Sequence, residues 1–403
     1  MLSAALLLLA APTPQAGWSA PVLETALNSA DSDAGPHLSA DGLTVHFASF
    51  RGGSWDLWSA TRASRHAPWG APVLEAAAST PDVDDGPFLT ADGLELWFGS
   101  LASAGMGGFD VMRCTRPTPG SPWGPPGFVI ELNSSGSDSA PSLTDDRLEV
   151  YFLTTGHGAP FSPNNAIFRA TRASAAVPFG PPAVVSELLT PNTHRDVHVS
   201  GDGLTLVWTE FVGSRMLVYA ATRLQRGAPF GAPAEVTEFS GVGTSLGVYG
   251  ISLSREGNEI LLAAGFPIGS GAQEIMSARF DGLTHSGIAS STSAMRLHYR
   301  DTGGAGKVYG LACSFGNAGF AFGSHFIPLD RDVLFLRTRG TNVPPFTAGF
   351  RGVLDAHGEA SGTIADPPGA LTGRTIFVGG VTLDPAAPDG IRFVAHSFPL
   401  QFQ

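Results

Sequence analysis

The stretch "SADGLTVHFASFRGGSWDLWSATR", Ser39 to Arg62, constrains this chain more than any other, because the chain restates it four times. Later copies begin at Thr90 ("TADGLELWFGS"), Thr144 ("TDDRLEVYFLT"), Ser200 ("SGDGLTLVWTE") and Ser254 ("SREGNEILLAA"). A period of about 50–56 residues with several short strand-like runs per unit signals a propeller or a similar repeat array. Inside the unit, Asp-Gly pairs separate two apolar runs at Asp41-Gly42, Asp92-Gly93 and Asp202-Gly203, with Asp146-Arg147 and Glu256-Gly257 as weaker versions. Asp-Gly is the strongest short hairpin signal, so a tight turn with positive φ at both central residues is expected. After the turn the residues alternate with period two: Val45 and Phe47 have counterparts in Leu96 and Phe98, Val150 and Phe152, Leu206 and Trp208, and Ile260 and Leu262. One face is therefore apolar in every copy, and each sheet needs a neighbour to cover it. A third strand is expected around Leu57, Val111, Ile167, Val218 and Ile275.

A fourth, outer strand is marked by "WGAPVLE" at Trp69 and its relatives at Trp123, Phe179 and Phe230. A further relative, "GWSAPVLE" at Trp18, precedes the first hairpin, while the last hairpin has none after it. If Trp18–Leu23 supplies the outer strand of the last unit, the ring closes with no exposed sheet face. Five blades are expected; six is the alternative, with a degenerate unit in residues 281–300.

These residues carry a resemblance. Ser39, Asp41, Gly42, Phe47, Ser49, Arg51, Gly52, Gly53, Asp56, Leu57 and Trp58 resemble the TolB-type, WD-like propeller repeat. The second copy keeps Asp92, Gly93, Phe98, Ser100, Gly107, Gly108, Asp110 and Val111, whereas Ala40 and Ala91 stand where that family usually has Pro. The resemblance covers residues 18–280 and implies a fold, not a function, since such repeats serve protein-binding propellers, peptidase gating domains and other exported proteins.

In a propeller, the residues entering each innermost strand ring the mouth of the central channel. At that repeat position stand Asp33, Asp84, Asp138, His194 and Val248, with Asp31, Asp82, Asp85, Arg195, Asp196 and His198 beside them. Asp33, Asp84, Asp85, Asp138, His194 and Asp196 are the candidate binding residues. Converging carboxylates can hold a hard cation such as Ca2+ through oxygen ligands, or a polar ligand; equally, each Asp can cap its own turn. Catalysis by paired carboxylates, as in the arabinanase-like five-bladed glycosidases, is the rival reading. Against it, Asp33, Asp84 and Asp138 recur at one repeat position, whereas an active site normally breaks the repeat. No "GxSxG" elbow and no phosphate loop ending in Gly-Lys-Ser/Thr occurs. His157, in a long loop over the same face, reads as part of a polar turn.

With 51 Gly, 31 Pro and only 14% charged residues, the chain is turn-rich and all-β in character. A net charge of −12 with no basic stretch argues against a nucleic-acid partner. Residues 1–16 hold an apolar core, Ala4 to Ala11, too short to span a bilayer and read as a secretory signal peptide, although the basic n-region is missing. Cys114 and Cys313 are expected to be separate, buried free thiols. The repeat stops after residue 285, residues 286–294 read as a linker, and residues 295–403 as a small antiparallel β-sandwich. Within it "DVLFLRTRG" is expected as a strand and Gly352–Ile364 as a hairpin around His357-Gly358. The preferred function is a secreted, periplasmic or cell-surface propeller, monomeric and non-enzymatic, binding a protein or polysaccharide at its face. A carbohydrate-active hydrolase is the alternative.

Overall fold

The computed structural model describes residues 17–160, 164–243, 247–265, 273–286, 294–322, 325–339, 347–365, 371, 374–395 and 397–401. The segment read as a signal peptide, residues 1–16, lies outside the described residues, and so do residues 287–293 of the expected linker. The fold is all-β and divides into two compact units, one spanning Trp18–Phe280 and one containing Asp281–Gln403.

The first unit is a succession of antiparallel sheets. Four of them have four strands each, beginning with Asp33–Leu38, Thr44–Ser49, Asp56–Thr61 and Val73–Leu74 and ending with Thr193–Val199, Thr205–Val212, Arg215–Thr222 and Ala234–Glu235. A fifth is built from Val248–Leu253, Glu259–Gly265 and the first half of Gln273–Ser286. Its outer edge is occupied by the start of the chain: Val22 pairs with Ser277 and Leu23 with Met276. Asn28 brackets Ile275, its Oδ1 accepting from the Ile275 N–H at 2.7 Å and its Nδ2 donating to the Ile275 carbonyl at 2.9 Å. The first strand of each sheet touches the first strand of the next, and the first strand of the fifth sheet touches that of the first. This arrangement is consistent with a β-propeller.

The second strand of every sheet is buried on both faces, not on one. Phe98 and Trp97, Phe152 and Tyr151, and Leu262 and Leu261 are adjacent residues pointing to opposite faces, and each is fully buried. The alternation is between two neighbours rather than between core and water. Each core accordingly draws on two consecutive sheets, as where Leu57 and Ala78 meet Leu96, Phe98 and Met112. Another core joins Leu261 and Ile275 to Val45, Phe47 and Trp69, the last sheet to the first.

The hairpin turns differ from the expected two-residue type. Gly42 and Gly93 both have φ +70° and Gly203 φ +75°, but their Asp partners do not take positive φ. The Gly42 N–H donates to the Ser39 carbonyl at 2.8 Å, while Asp41 Oδ1 accepts from the Ser39 hydroxyl at 2.6 Å and from the Leu43 N–H at 2.9 Å. A longer loop is thus tied by the Asp side chain, and only the Gly needs left-handed backbone.

Among its described residues the second unit contains two large antiparallel sheets, besides the short pair Phe320–Phe322 and His325–Ile327. One pairs Ala294–Arg300 with Glu359–Ala365 and with the second half of Gln273–Ser286; the other centres on Val308–Ser314 and Thr375–Leu383. Leu297 and Tyr299 from the first share a core with Leu311, Ile376 and Val378 from the second. Two expectations are corrected. "DVLFLRTRG" forms a short helix, Val333–Thr338, because Asp332 caps it, its Oδ1 accepting from the Phe335 N–H at 2.9 Å. Gly352–Ile364 is not a hairpin: the turn at Gly358 exists, but Arg351–Val353 pairs in one sheet and Glu359–Ala365 in the other. Ser286 and Ala294, the ends of the expected linker, belong to strands. Cys114 and Cys313 are buried free thiols in different units; burial pushes the Cys114 thiol up to about 12 and raises Cys313 as well.

Candidate ligand site at the channel mouth

The repeat position that carries Asp33, Asp84 and Asp138 does not face the channel. All three residues are fully buried, and each carboxylate turns back on its own entry loop. Asp33 accepts from the Ser29 N–H at 2.6 Å and from Arg51 at 2.7 Å; Asp84 from the Thr80 N–H at 2.6 Å and hydroxyl at 2.9 Å; Asp138 from the Ser134 N–H at 2.7 Å and hydroxyl at 2.8 Å. Burial raises the Asp84 and Asp138 carboxyls above the usual range, against the pull of these bonds. His194 occupies the same position, its Nδ1 3.2 Å from the Asn165 carbonyl and its Nε2 3.8 Å from Glu210; burial lowers it.

One residue further along each first strand, the side chains do converge. Ala34, Asp85, Ser139, Arg195 and Tyr249 come from the five sheets in turn and line one cavity of about 220 Å³, with Asp196, Asn165, Gln273 and Phe109. Of the sequence candidates, the fold thus brings Asp85 and Asp196 into the mouth and leaves Asp33, Asp84, Asp138 and His194 behind it. Tyr249, Ser139, Asn165 and Gln273 escaped the sequence reading. The signal that marks the first two is the column after Asp33, where the five copies carry five different residues.

The backbone explains why the strands can meet so closely. Each first strand has a bulge at its entrance, with Gly35 at φ +53° and Gly86 at φ +61°. A Cβ on Gly35 would stand 3.2 Å from the Gly86 N, and one on Gly250 only 2.9 Å from the Gly35 N. Larger residues would wedge the ring open.

Asp196 ties two sheets together at the mouth. Its Oδ1 accepts from the Val197 N–H at 2.9 Å and its Oδ2 from the Ile251 N–H at 2.8 Å, so the carboxylate staples the fourth sheet to the fifth. Burial, helped by the nearby Asp85, lifts its pKa to about 7. Asp85 is also raised by burial, with Arg195 opposing; its Oδ1 accepts from the Gly86 N–H at 2.7 Å.

Deeper in the channel, three rings close the neck. His37 lies 4.3 Å from Phe88 and 5.6 Å from His198, centroid to centroid. His37 Nε2 is 3.1 Å from the Leu89 carbonyl, and the hydroxyls of Ser142 and Ser252 accept from the Val199 and Leu38 N–H groups at 3.0 and 3.1 Å. The mouth is therefore a blind pocket. Among the described residues no three carboxylate, imidazole or thiol groups gather as a metal ion would require. His157 packs against Phe152 and Phe168, its Nε2 2.9 Å from the Leu132 carbonyl.

No family model matches the chain. No curated protein matches it either. Among solved structures the chain is similar to TolB from Acinetobacter baumannii, at 13% identity over 64% of this chain and 56% of that one, with a TM-score of 0.40. It thus spans little more than half of that protein's length. It is also similar to a GH62 hydrolase in complex with xylotriose, at 8% identity over 67% of this chain and 98% of that one, TM-score 0.44. A family 117 glycoside hydrolase produced by Zobellia galactanivorans is similar at 11% identity over 66% and 90% of the two chains, TM-score 0.41.

Proposed function

We propose that the chain is an exported, non-enzymatic propeller of five blades with a C-terminal β-sandwich, and that its channel mouth binds a polar ligand of the glycan class. Five blades are supported by the pairing of Val22 and Leu23 with the last sheet and by the core that joins the last sheet to the first. Export rests on the apolar segment of residues 1–16.

The observation that carries the binding reading is the asymmetry of the mouth. Where the rest of the repeat is regular, Ala34, Asp85, Ser139, Arg195 and Tyr249 are all different and all line one pocket. Carboxylates, a guanidinium and amides can bond hydroxyls in a fixed orientation, and the half-buried Tyr249 offers a ring face for a sugar.

A hydrolase is the second reading, because Asp196 sits near 7 beside Asp85, and carboxyls of unequal acidity can divide acid and base roles. The hydrogen bonds weigh against it: both Asp196 oxygens already accept from backbone N–H groups, leaving it poorly placed to deliver a proton to a substrate.

Calorimetric titration with a panel of soluble oligosaccharides, combined with a reducing-end assay, separates the two. At least one oligosaccharide is expected to bind, with affinity lowered tenfold or more in Tyr249→Ala and Arg195→Ala, and with no new reducing ends. Release of reducing ends by the wild type and its loss in Asp196→Asn would replace binding by hydrolysis. Absence of binding across the panel would remove the glycan.

A further inference from the structure

The unit containing Asp281–Gln403 has a second cavity, larger than the channel mouth and of opposite chemistry. It measures about 380 Å³ and is walled by Leu311, Ile327, Phe335, Val381 and Ile391. Ile327, Phe335 and Ile391 are buried together in one small cluster, so the wall is packed rather than a loose surface groove. The mouth stays apolar: Val308, Phe322 and Leu383 line the cavity and are 48%, 44% and 39% exposed. Large side chains left wet around a cavity of this size mark a binding site more often than a bare surface.

Three arginines stand at the same opening. Arg331, Arg339 and Arg351 all line the cavity. The Arg331 guanidinium lies 4.2 Å from the Phe320 ring centroid, Arg339 5.7 Å from that of Phe335, and Arg351 donates to the Arg339 carbonyl. Among the described residues none of the three has a carboxylate partner within ion-pair distance, although most other arginines of the chain do. The nearby acids are engaged elsewhere: Asp332 caps the short helix, and Asp330 accepts from the Gly319 N–H at 3.0 Å. Among the described residues Asp389 is the one carboxylate that lines the cavity. In a chain of net charge −12, three cations against one anion around an apolar hole form a local positive island.

We infer that this cavity binds a small amphiphilic anion, an apolar acyl or aryl body seated between the sheet of Val308–Ser314 and Thr375–Leu383 and the short helix Val333–Thr338, with a carboxylate or phosphate head held by the arginines. The body matches the walls, and guanidinium groups bond planar oxyanions through two parallel N–H donors. Neither feature alone specifies the class: the walls would take a neutral apolar molecule, and the arginines an inorganic anion. Their meeting at one opening selects a molecule having both parts.

The test uses the full chain and four probes below their micelle-forming concentrations: decanoate, decyl phosphate, decanol and acetate, each followed by calorimetry. Decanoate or decyl phosphate, and whichever head binds more tightly identifies the head group, is expected to bind at least tenfold more tightly than decanol or acetate. Two variants locate the site. Gly310 lines the cavity, and a Cβ there would meet only Val381 Cγ2 at 3.9 Å, so Gly310→Leu projects its side chain from this wall with no clash at the Cβ. It should abolish binding of both the anions and decanol. Arg339→Gln with Arg351→Gln should weaken the anions tenfold or more and leave decanol unchanged. Circular dichroism melting confirms that each variant is folded, and the arginine pair, exposed at the surface, remains informative should Gly310→Leu fail to fold. Anion binding no tighter than that of decanol, or unchanged by the arginine pair, overturns the inference.

Discussion

Asp33, Asp84 and Asp138 share one place in the repeat and one job. Each closes the loop arriving from the previous outer strand by accepting from a Ser or Thr four residues earlier, through its N–H and its hydroxyl. Recurrence is what a structural device produces, while the neighbouring column, free of that duty, has diverged into Ala34, Asp85, Ser139, Arg195 and Tyr249. Substitution separates the two columns. Asp84→Ala leaves the half-buried Thr80 N–H and hydroxyl without their acceptor, which costs about 1–3 kcal/mol; chemical denaturation should show that loss of stability. Ligand affinity at the mouth should be unchanged, whereas Arg195→Ala should do the reverse.

Strand pairing repeats the same logic with different atoms. Asn133 clamps Val111, its Oδ1 accepting at 2.7 Å and its Nδ2 donating at 3.1 Å, as Asn28 clamps Ile275. The two clamps differ in what they hold: Asn133 sits mid-chain, while Asn28 fastens the N-terminal segment to the last sheet. Asn28→Ala and Asn133→Ala should each cost about 1–3 kcal/mol, but only Asn28→Ala should speed proteolytic removal of residues 17–28, read by mass spectrometry. Much of this was legible in the sequence. The repeat, the four strands per unit and the pairing of the Trp18 segment with the strand of Ile275 follow from apolar spacing and from counting segments against hairpins. The short helix at Val333–Thr338 did not, because its Val, Phe and Thr favour strands and only the cap at Asp332 and tertiary packing override them. The recurrent arginine of "ATR" was also passed over. Arg62 lies 4.3 Å from the Trp69 ring centroid, donates to the Gly42 carbonyl at 2.8 Å and reaches Glu259 in the fifth sheet at 2.7 Å. Arg223 does the same with Phe230, Gly203 and Glu149. The ring is only 7 residues on, but the carbonyl and carboxylate partners lie roughly 20 to 200 residues away, so no local pattern announces them.

Summed over the first unit, the buried titratable groups set opposing slopes in pH. His37 is held well below the ordinary imidazole value by burial and by His198, while burial takes His198 down to about 4 and His46 to about 3. The unfolded chain binds these protons near 6.5 and the folded one does not. The stability these neutral rings contribute is therefore complete above about 6.5 and is lost as the pH falls towards 4. Asp196 runs the other way: raised to about 7 from 3.8, it binds its proton more tightly when folded, so its contribution is full below about 4 and fades as the pH rises to 7. His194, lowered by burial, sides with these rings, while Asp84, Asp85, Asp138 and Asp145, all raised by burial, side with Asp196, so the two sets oppose each other across the acid range. Asp196→Asn removes one stabilising slope, so its melting temperature should drop relative to that of the wild type as the pH goes from 6.5 to 4.5. His198→Phe, which keeps a ring against His37 and Phe88 but cannot take a proton, should gain melting temperature relative to the wild type over the same range. Thermal melts of the three proteins in half-unit pH steps check the order; parallel curves would mean that the rings of the neck do not govern acid stability.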